Sequence, residues 1–193
     1  MKKLFIGFPV ESEDVEQTVV TWQNDPKLNL NLFNWVRPEN WHVTLYFLGE
    51  TGETEKLLLQ HLIEESFLSV KRFSTMVTGT GVFPGLSNPK VWWLGIENLQ
   101  LMMTSYNLLG DLLRKNGFAF DNKPLKPHLT IARIKHLILG DSFDLFLTQN
   151  RDLNFGPVEI NRIVLYQSIT TPNGPYYKPL YVKVLGLEER KAT

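Results

Sequence analysis

Apolar residues recur along this chain in two rhythms, one suited to strands and one to helices. Leu4 to Val10 reads as a first strand. Ser12 predicts a helix start: it is a plausible N-cap, and Glu13, Asp14 and Glu16 suit the positive end of the helix dipole. Val15, Val19 and Trp22 then fall on one helical face. After a loop rich in Asn and Pro comes a strand from His42 to Leu48, followed by a helix from Thr54 to Ser66 with Leu58, Leu62 and neighbours inward. Strands at Phe73 to Thr80 and Val91 to Ile96 flank a turn containing Pro84, Gly85, Asn88 and Pro89. A third helix, Leu99 to Asn116, carries the stripe Met102, Tyr106, Leu109 and Leu113, and Gly117 is a good stop. Beyond it lie a strand at His128 to Ile134, a short helix near Ser142 to Gln149, and strands at Glu159 to Ile169 and Tyr177 to Val184.

This order, about seven strands among three or four helices, predicts an α+β fold rather than a doubly wound sheet. No glycine-rich nucleotide motif is present, and no low-complexity linker divides the chain. Residues 1–193 therefore read as one domain, or as two small lobes sharing a core. The N-terminal apolar run is broken by Gly7 and Pro9 and enters an acidic segment, unlike a signal peptide. No apolar stretch approaches the roughly 18 residues that span a bilayer. A soluble, cytoplasmic protein without membrane partners is the expectation. With no cysteine, disulfides, thiol catalysis and cysteine-ligated metal sites are excluded. Lys and Arg (20) balance Asp and Glu (20), which favours a small anionic ligand, or one end of a nucleic acid, over a long duplex.

Two segments repeat a pattern: His42-Val43-Thr44-Leu45 and His128-Leu129-Thr130-Ile131. Side chains alternate along a strand, so His and Thr at i and i+2 share one face while the apolar residues share the other. A single histidine on a strand is more often structural than catalytic. Two on matching strands, using half of the four histidines, point to a pair with a common task. His61, beside Gln60 and Glu64, and His136 read as solvated surface. Histidine titrates near pH 6.5, so two opposed imidazoles can supply general acid and general base without a metal. Two histidines with no nearby Asp/Glu–His spacing make a poor zinc or iron site, and no cofactor is expected.

The sequence resembles the two-histidine (2H) phosphoesterases, specifically the RNA 2′,3′-cyclic phosphodiesterases once called 2′-5′ RNA ligases. Arg37 to Gly49 resembles the first family motif with its lead-in, and Lys126 to Arg133 the second. Phe83-Pro84, Trp92 to Gly95 and Leu165 to Ser168 resemble intervening and later landmarks, all in order. The resemblance implies two pseudo-symmetric lobes of antiparallel sheet with outer helices and an active-site cleft between them, for which a monomer suffices. It implies hydrolysis of RNA or nucleotide 2′,3′-cyclic phosphates to 2′-phosphomonoesters, with a possible reverse ligation. His42 would protonate the leaving oxygen and His128 activate water, an order that the family pattern supplies. Thr44 and Thr130 would bond the non-bridging phosphate oxygens.

Phe47 and Arg133 each lie five positions after a motif histidine and are candidates to stack on a nucleobase. Strict alternation puts both on the wrong face, so a bulge or a strand end is required. Lys123, Lys126, Arg133 and Lys135 make the second motif locally basic, either a phosphate attractor or an ordinary solvated face. The same site could instead take 2′-5′-linked oligonucleotides or ADP-ribose cyclic phosphates. A non-catalytic nucleotide- or RNA-binding module is the reading from another class.

Overall fold

The computed structural model describes residues 2–26, 28, 30–97, 99–121, 124–135, 140–171 and 174–186. Its strands are β1 (Lys2–Pro9), β2 (Phe33–Trp35), β3 (His42–Thr51), β4 (Phe73–Phe83), β5 (Val91–Ile96), β6 (His128–Ile134), β7 (Asn154–Ile160), β8 (Arg162–Thr171) and β9 (Gly174–Val184). Its helices are α1 (Glu13–Gln23), α2 (Glu53–Ser66), α3 (Gln100–Lys115) and α4 (Gly140–Gln149). The strands join in the order β7-β4-β5-β6-β3-β1-β8-β9, with β2 paired to β6 off this path. Every paired strand is antiparallel to its neighbour.

That order is two four-stranded halves joined at their centres. β3 is the inner strand of one half and β6 of the other, and each begins at a motif histidine. Between them only Val43 and Leu129 are in register. Beyond that pair β3 and β6 separate, and β2 takes over the free edge of β6, with Asn34 opposite Arg133 and Trp35 opposite Ala132. The chain weaves the halves together: β4 follows β3 but sits in the β6 half, and β8 returns to pair with β1.

All the apolar motif residues face the helices. Val43, Leu45, Leu129 and Ile131 are buried in one core. Over the β6 half, Trp22 of α1 stacks on Trp92 at 5.2 Å, and Phe143 and Phe146 of α4 meet the same indole edge-on. Over the β3 half, Tyr106 of α3 stacks on Tyr46 at 4.7 Å and accepts at its carbonyl the Tyr46 hydroxyl, 2.8 Å away. Each half thus receives one helix from the other, since α1 follows β1 and α3 follows β5.

Ser12 caps α1 as the sequence predicts, its Oγ accepting from the Val15 amide, and Val15, Val19 and Trp22 are its buried residues. Gly117 ends α3 with φ of +79°, a conformation that costs glycine nothing. Two expectations need correction. The strand expected at Glu159 to Ile169 is two strands, divided at Asn161, and β7 and β8 lie in opposite halves of the sheet. Local alternation cannot reveal such a crossing. β2 was not foreseen, because three residues are too short to show a period. In α2, Leu62 and its neighbours Leu59 and Ile63 turn inward as expected, and Leu58 packs partly covered against the same core.

Gly7 sets how closely β1 approaches β3: a Cβ there would lie 2.6 Å from the Val43 carbonyl oxygen, which is backbone and cannot turn aside. Gly7→Ala is expected to destabilise the fold by about 1–3 kcal/mol, as overpacked core positions do. Urea unfolding measures it, and an unchanged midpoint would show that β1 and β3 are free to separate.

Candidate active site

The Val43–Leu129 pair acts as a local two-fold axis. In antiparallel order its flanking residues bring His42 beside Thr130 and Thr44 beside His128. With the apolar pair in the core, all four polar side chains emerge on the opposite face. His42 and His128 are thus diagonal neighbours about this pair, near enough that a charge on His128 acts on His42.

Both strands carry a bulge at the same place. Thr44 pairs with Gly7 and Tyr46 with Ile6, leaving Leu45 as the extra residue. Thr130 pairs with Trp93 and Ala132 with Trp92, leaving Ile131 as the extra residue. Each bulge puts two consecutive residues into the core, Leu45–Tyr46 and Ile131–Ala132, and resets the alternation. Phe47 and Arg133 therefore come out, exposed, on the histidine face. The obstacle that strict alternation raised is removed by the same device on both strands.

The histidines are held identically. His42 Nδ1 lies 2.6 Å from the Asn40 carbonyl oxygen, and His128 Nδ1 lies 2.6 Å from that of Lys126. A carbonyl can only accept, so each Nδ1 carries its proton and each neutral ring keeps a lone pair on Nε2. Such a ring can take a proton at Nε2, or give one back, without turning.

Their surroundings differ. His42 packs against Phe5 at 4.7 Å and meets Tyr177 edge-on at 4.9 Å, with Tyr166 at 6.0 Å. His128 meets Phe83 edge-on at 5.0 Å, and Phe83 leans on Trp93. Burial lowers the pKa of His42 from 6.5 to about 4, and the positive charges of His128 and Arg133 add to that against the Asn40 carbonyl. Burial also lowers His128, opposed by the Lys126 carbonyl. Burial holds the Tyr166 phenol up at about 12, so it stays protonated. Without a ligand, then, both imidazoles are neutral at neutral pH, and an anion between them would favour charging one.

His42, His128, Thr44, Thr130 and Arg133 share this cleft, and the charge of Arg133 is felt at His42. Phe47 pairs with Phe5 on the same face, but no ring contact joins it to either histidine among the described residues. His61 is exposed, as the sequence suggests. His136 and Lys123 lie outside the described residues, while Lys126, Arg133 and Lys135 are exposed. The rings around His42 were not foreseen as site residues. One signal was available: β1 is apolar on both faces, and Phe5 is buried yet stands apart from the helix-side core. Among the described residues no group of three or more His, Asp or Glu is placed to hold a metal ion, and no helix is long and apolar enough to cross a membrane.

Comparison with known proteins finds relatives in sequence and in fold. Residues 10–93 match the family model described as LigT-like phosphoesterase. An RNA 2′,3′-cyclic phosphodiesterase from Thermotoga maritima is 38% identical over 150 residues, 76% of each chain. One of the same name from Aquifex aeolicus is 31% identical over 180 residues, covering 91% of this chain and 93% of the relative. A crystal structure from Thermus thermophilus superposes with a TM-score of 0.74 at 27% identity, over 97% of this chain and all of the other.

The buried imidazole makes a titration informative. In the free protein, His42 is expected to titrate near pH 4 in histidine-resolved NMR spectra, and saturating inorganic phosphate is expected to raise that value. An unmoved titration would place the anion elsewhere. An unfolded chain binds this proton near pH 6.5 and the native one only near 4, so stability is expected to fall on acidification between those values. His42→Gln should flatten that dependence in urea midpoints.

Proposed function

This chain belongs to the LigT-like phosphoesterase family, and from that premise we propose that it hydrolyses RNA or nucleotide 2′,3′-cyclic phosphates to 2′-phosphomonoesters, with His42 and His128 as its acid–base pair. The observation that carries this reading is the matched pair of Nδ1–carbonyl bonds, which leaves a free Nε2 on each histidine of one cleft.

His128 Nε2 takes a proton from water as the oxygen attacks phosphorus. The P–O3′ bond breaks, and His42, protonated at Nε2, gives its proton to the departing ribose oxygen. One proton is taken and one given, so the pair is regenerated with roles exchanged and resets through solvent. The order of roles follows the family pattern. It requires His42 to be charged in the complex, and the negative phosphate supplies that bias against the burial that otherwise keeps the ring neutral. Thr44 and Thr130 donate to the non-bridging oxygens, and the Arg133 guanidinium faces the charge that builds in the transition state. None of these steps calls on a metal.

The test is an RNA oligonucleotide ending in a 2′,3′-cyclic phosphate, incubated with chelator and resolved by product isomer. Full conversion to the 2′-phosphate is expected, abolished in His42→Ala and in His128→Ala. Thr44→Val and Thr130→Val should each lose about 10²–10³ in kcat. A 3′-phosphate product, or activity surviving either histidine variant, would sink the scheme.

pH gives an independent check. kcat/KM reports the free enzyme, where both imidazoles lie below 6.5, so its bell should be centred on the acid side of 6.5. The bell for kcat should lie higher, because bound phosphate raises His42. Coincident profiles would show that substrate leaves these pKa values alone.

A further inference from the structure

The cleft does not end at the histidines. Asn34 of β2 stands opposite Arg133, so the outer face that carries His128, Thr130 and Arg133 continues sideways onto β2. There it floors a groove of about 790 Å³, walled on one side by Trp35 and Arg37 and on the other by the β8–β9 hairpin with Tyr176. Tyr176 is 53% exposed, a ring presented to solvent.

The groove is built on the same support as the reactive ring. Asn40 Nδ2 donates to the Pro175 carbonyl at 3.1 Å, fixing the hairpin wall. The Asn40 carbonyl also accepts from His42 Nδ1. Thr171 Oγ1 donates to the Gly174 carbonyl at 2.6 Å and closes the hairpin. No carboxylate is among the described lining residues, and neither Arg37 nor Arg133 has an ion-pair partner among the described residues.

We propose that this groove binds the nucleotide preceding the cyclic-phosphate end, so that the enzyme selects oligonucleotide ends over free cyclic mononucleotides. The proposal rests on the phosphodiesterase reading above. A 2′,3′-cyclic phosphate exists only at a 3′ end, so the remainder of the strand must leave the cleft on its 5′ side. The groove offers what that nucleotide presents: Arg37 for the linking phosphate, Tyr176 as a stacking platform, and the Asn34 amide for a base edge. Two guanidiniums without carboxylate partners among the described residues, on an otherwise charge-balanced chain, suit one or two phosphates rather than a long backbone.

The test compares cytidine 2′,3′-cyclic phosphate with a dinucleotide and a tetranucleotide that end in it. The wild type should favour the dinucleotide by roughly tenfold in kcat/KM, mostly through KM, with little more from the tetranucleotide; one stacked base is worth about that much. Arg37→Ala and Tyr176→Ala, both on exposed positions, should erase the advantage and leave mononucleotide turnover unchanged. No length preference in the wild type, or equal losses on both substrates in the variants, would overturn the proposal. If the protein turns over none of the three, the phosphodiesterase reading is what has failed. Fluorescence anisotropy with the labelled di- and tetranucleotide, at equal salt, then reads the groove directly. Affinity lost in Arg37→Ala supports it, and affinity indifferent to both substitutions overturns it.

Discussion

Val43 and Leu129 meet as the one registered pair between β3 and β6 among the described residues, and both side chains vanish into the helix-side core. Burying them fixes which face each strand turns to the cleft, since a one-residue slip would exchange faces. It also puts the two histidine–threonine pairs in antiparallel order about a local axis. Were the strands paired along their length, the sheet would run unbroken between the two halves. Because β3 and β6 part after this contact, two halves with their own helices can hold reactive groups toward each other.

The cleft is made reactive at an energetic cost. An imidazole pressed among Phe5, Tyr166 and Tyr177, within the fields of His128 and Arg133, is hard to protonate. In a protein without an anionic ligand that arrangement serves no stabilising purpose on the acid side. It does make the protonation state of His42 depend on whether a phosphate is present, which is what a proton donor to a phosphate ester requires. The asymmetry between the ring-lined His42 and the more open His128 gives two residues from matching motifs different environments, which is what the proposed division of roles calls for.

Much of this was legible in the chain. The repeated His-x-Thr pattern exposed the pair, and alternation fixed its face. The helix starts and stops at Ser12 and Gly117 followed from capping chemistry. What alternation misjudged was the placement of Phe47 and Arg133, because a bulge is a property of two strands and leaves no mark on either alone. The same limit hid β2, the split at Asn161, and the convergence of Phe5, Tyr166 and Tyr177 from three strands on one ring. Each depends on partners distant in sequence, whereas the motifs are local.

The central claim is that two histidines from opposite halves act as one unit. A double-mutant cycle in kcat/KM on a cyclic-phosphate RNA, using His42→Ala, His128→Ala and the pair, tests it most directly. Groups that act together in one displacement lose nearly everything together, so the double variant should be about as impaired as the worse single one. Losses that multiply would show two independent contributions, and would contradict a shared acid–base pair across the Val43–Leu129 contact.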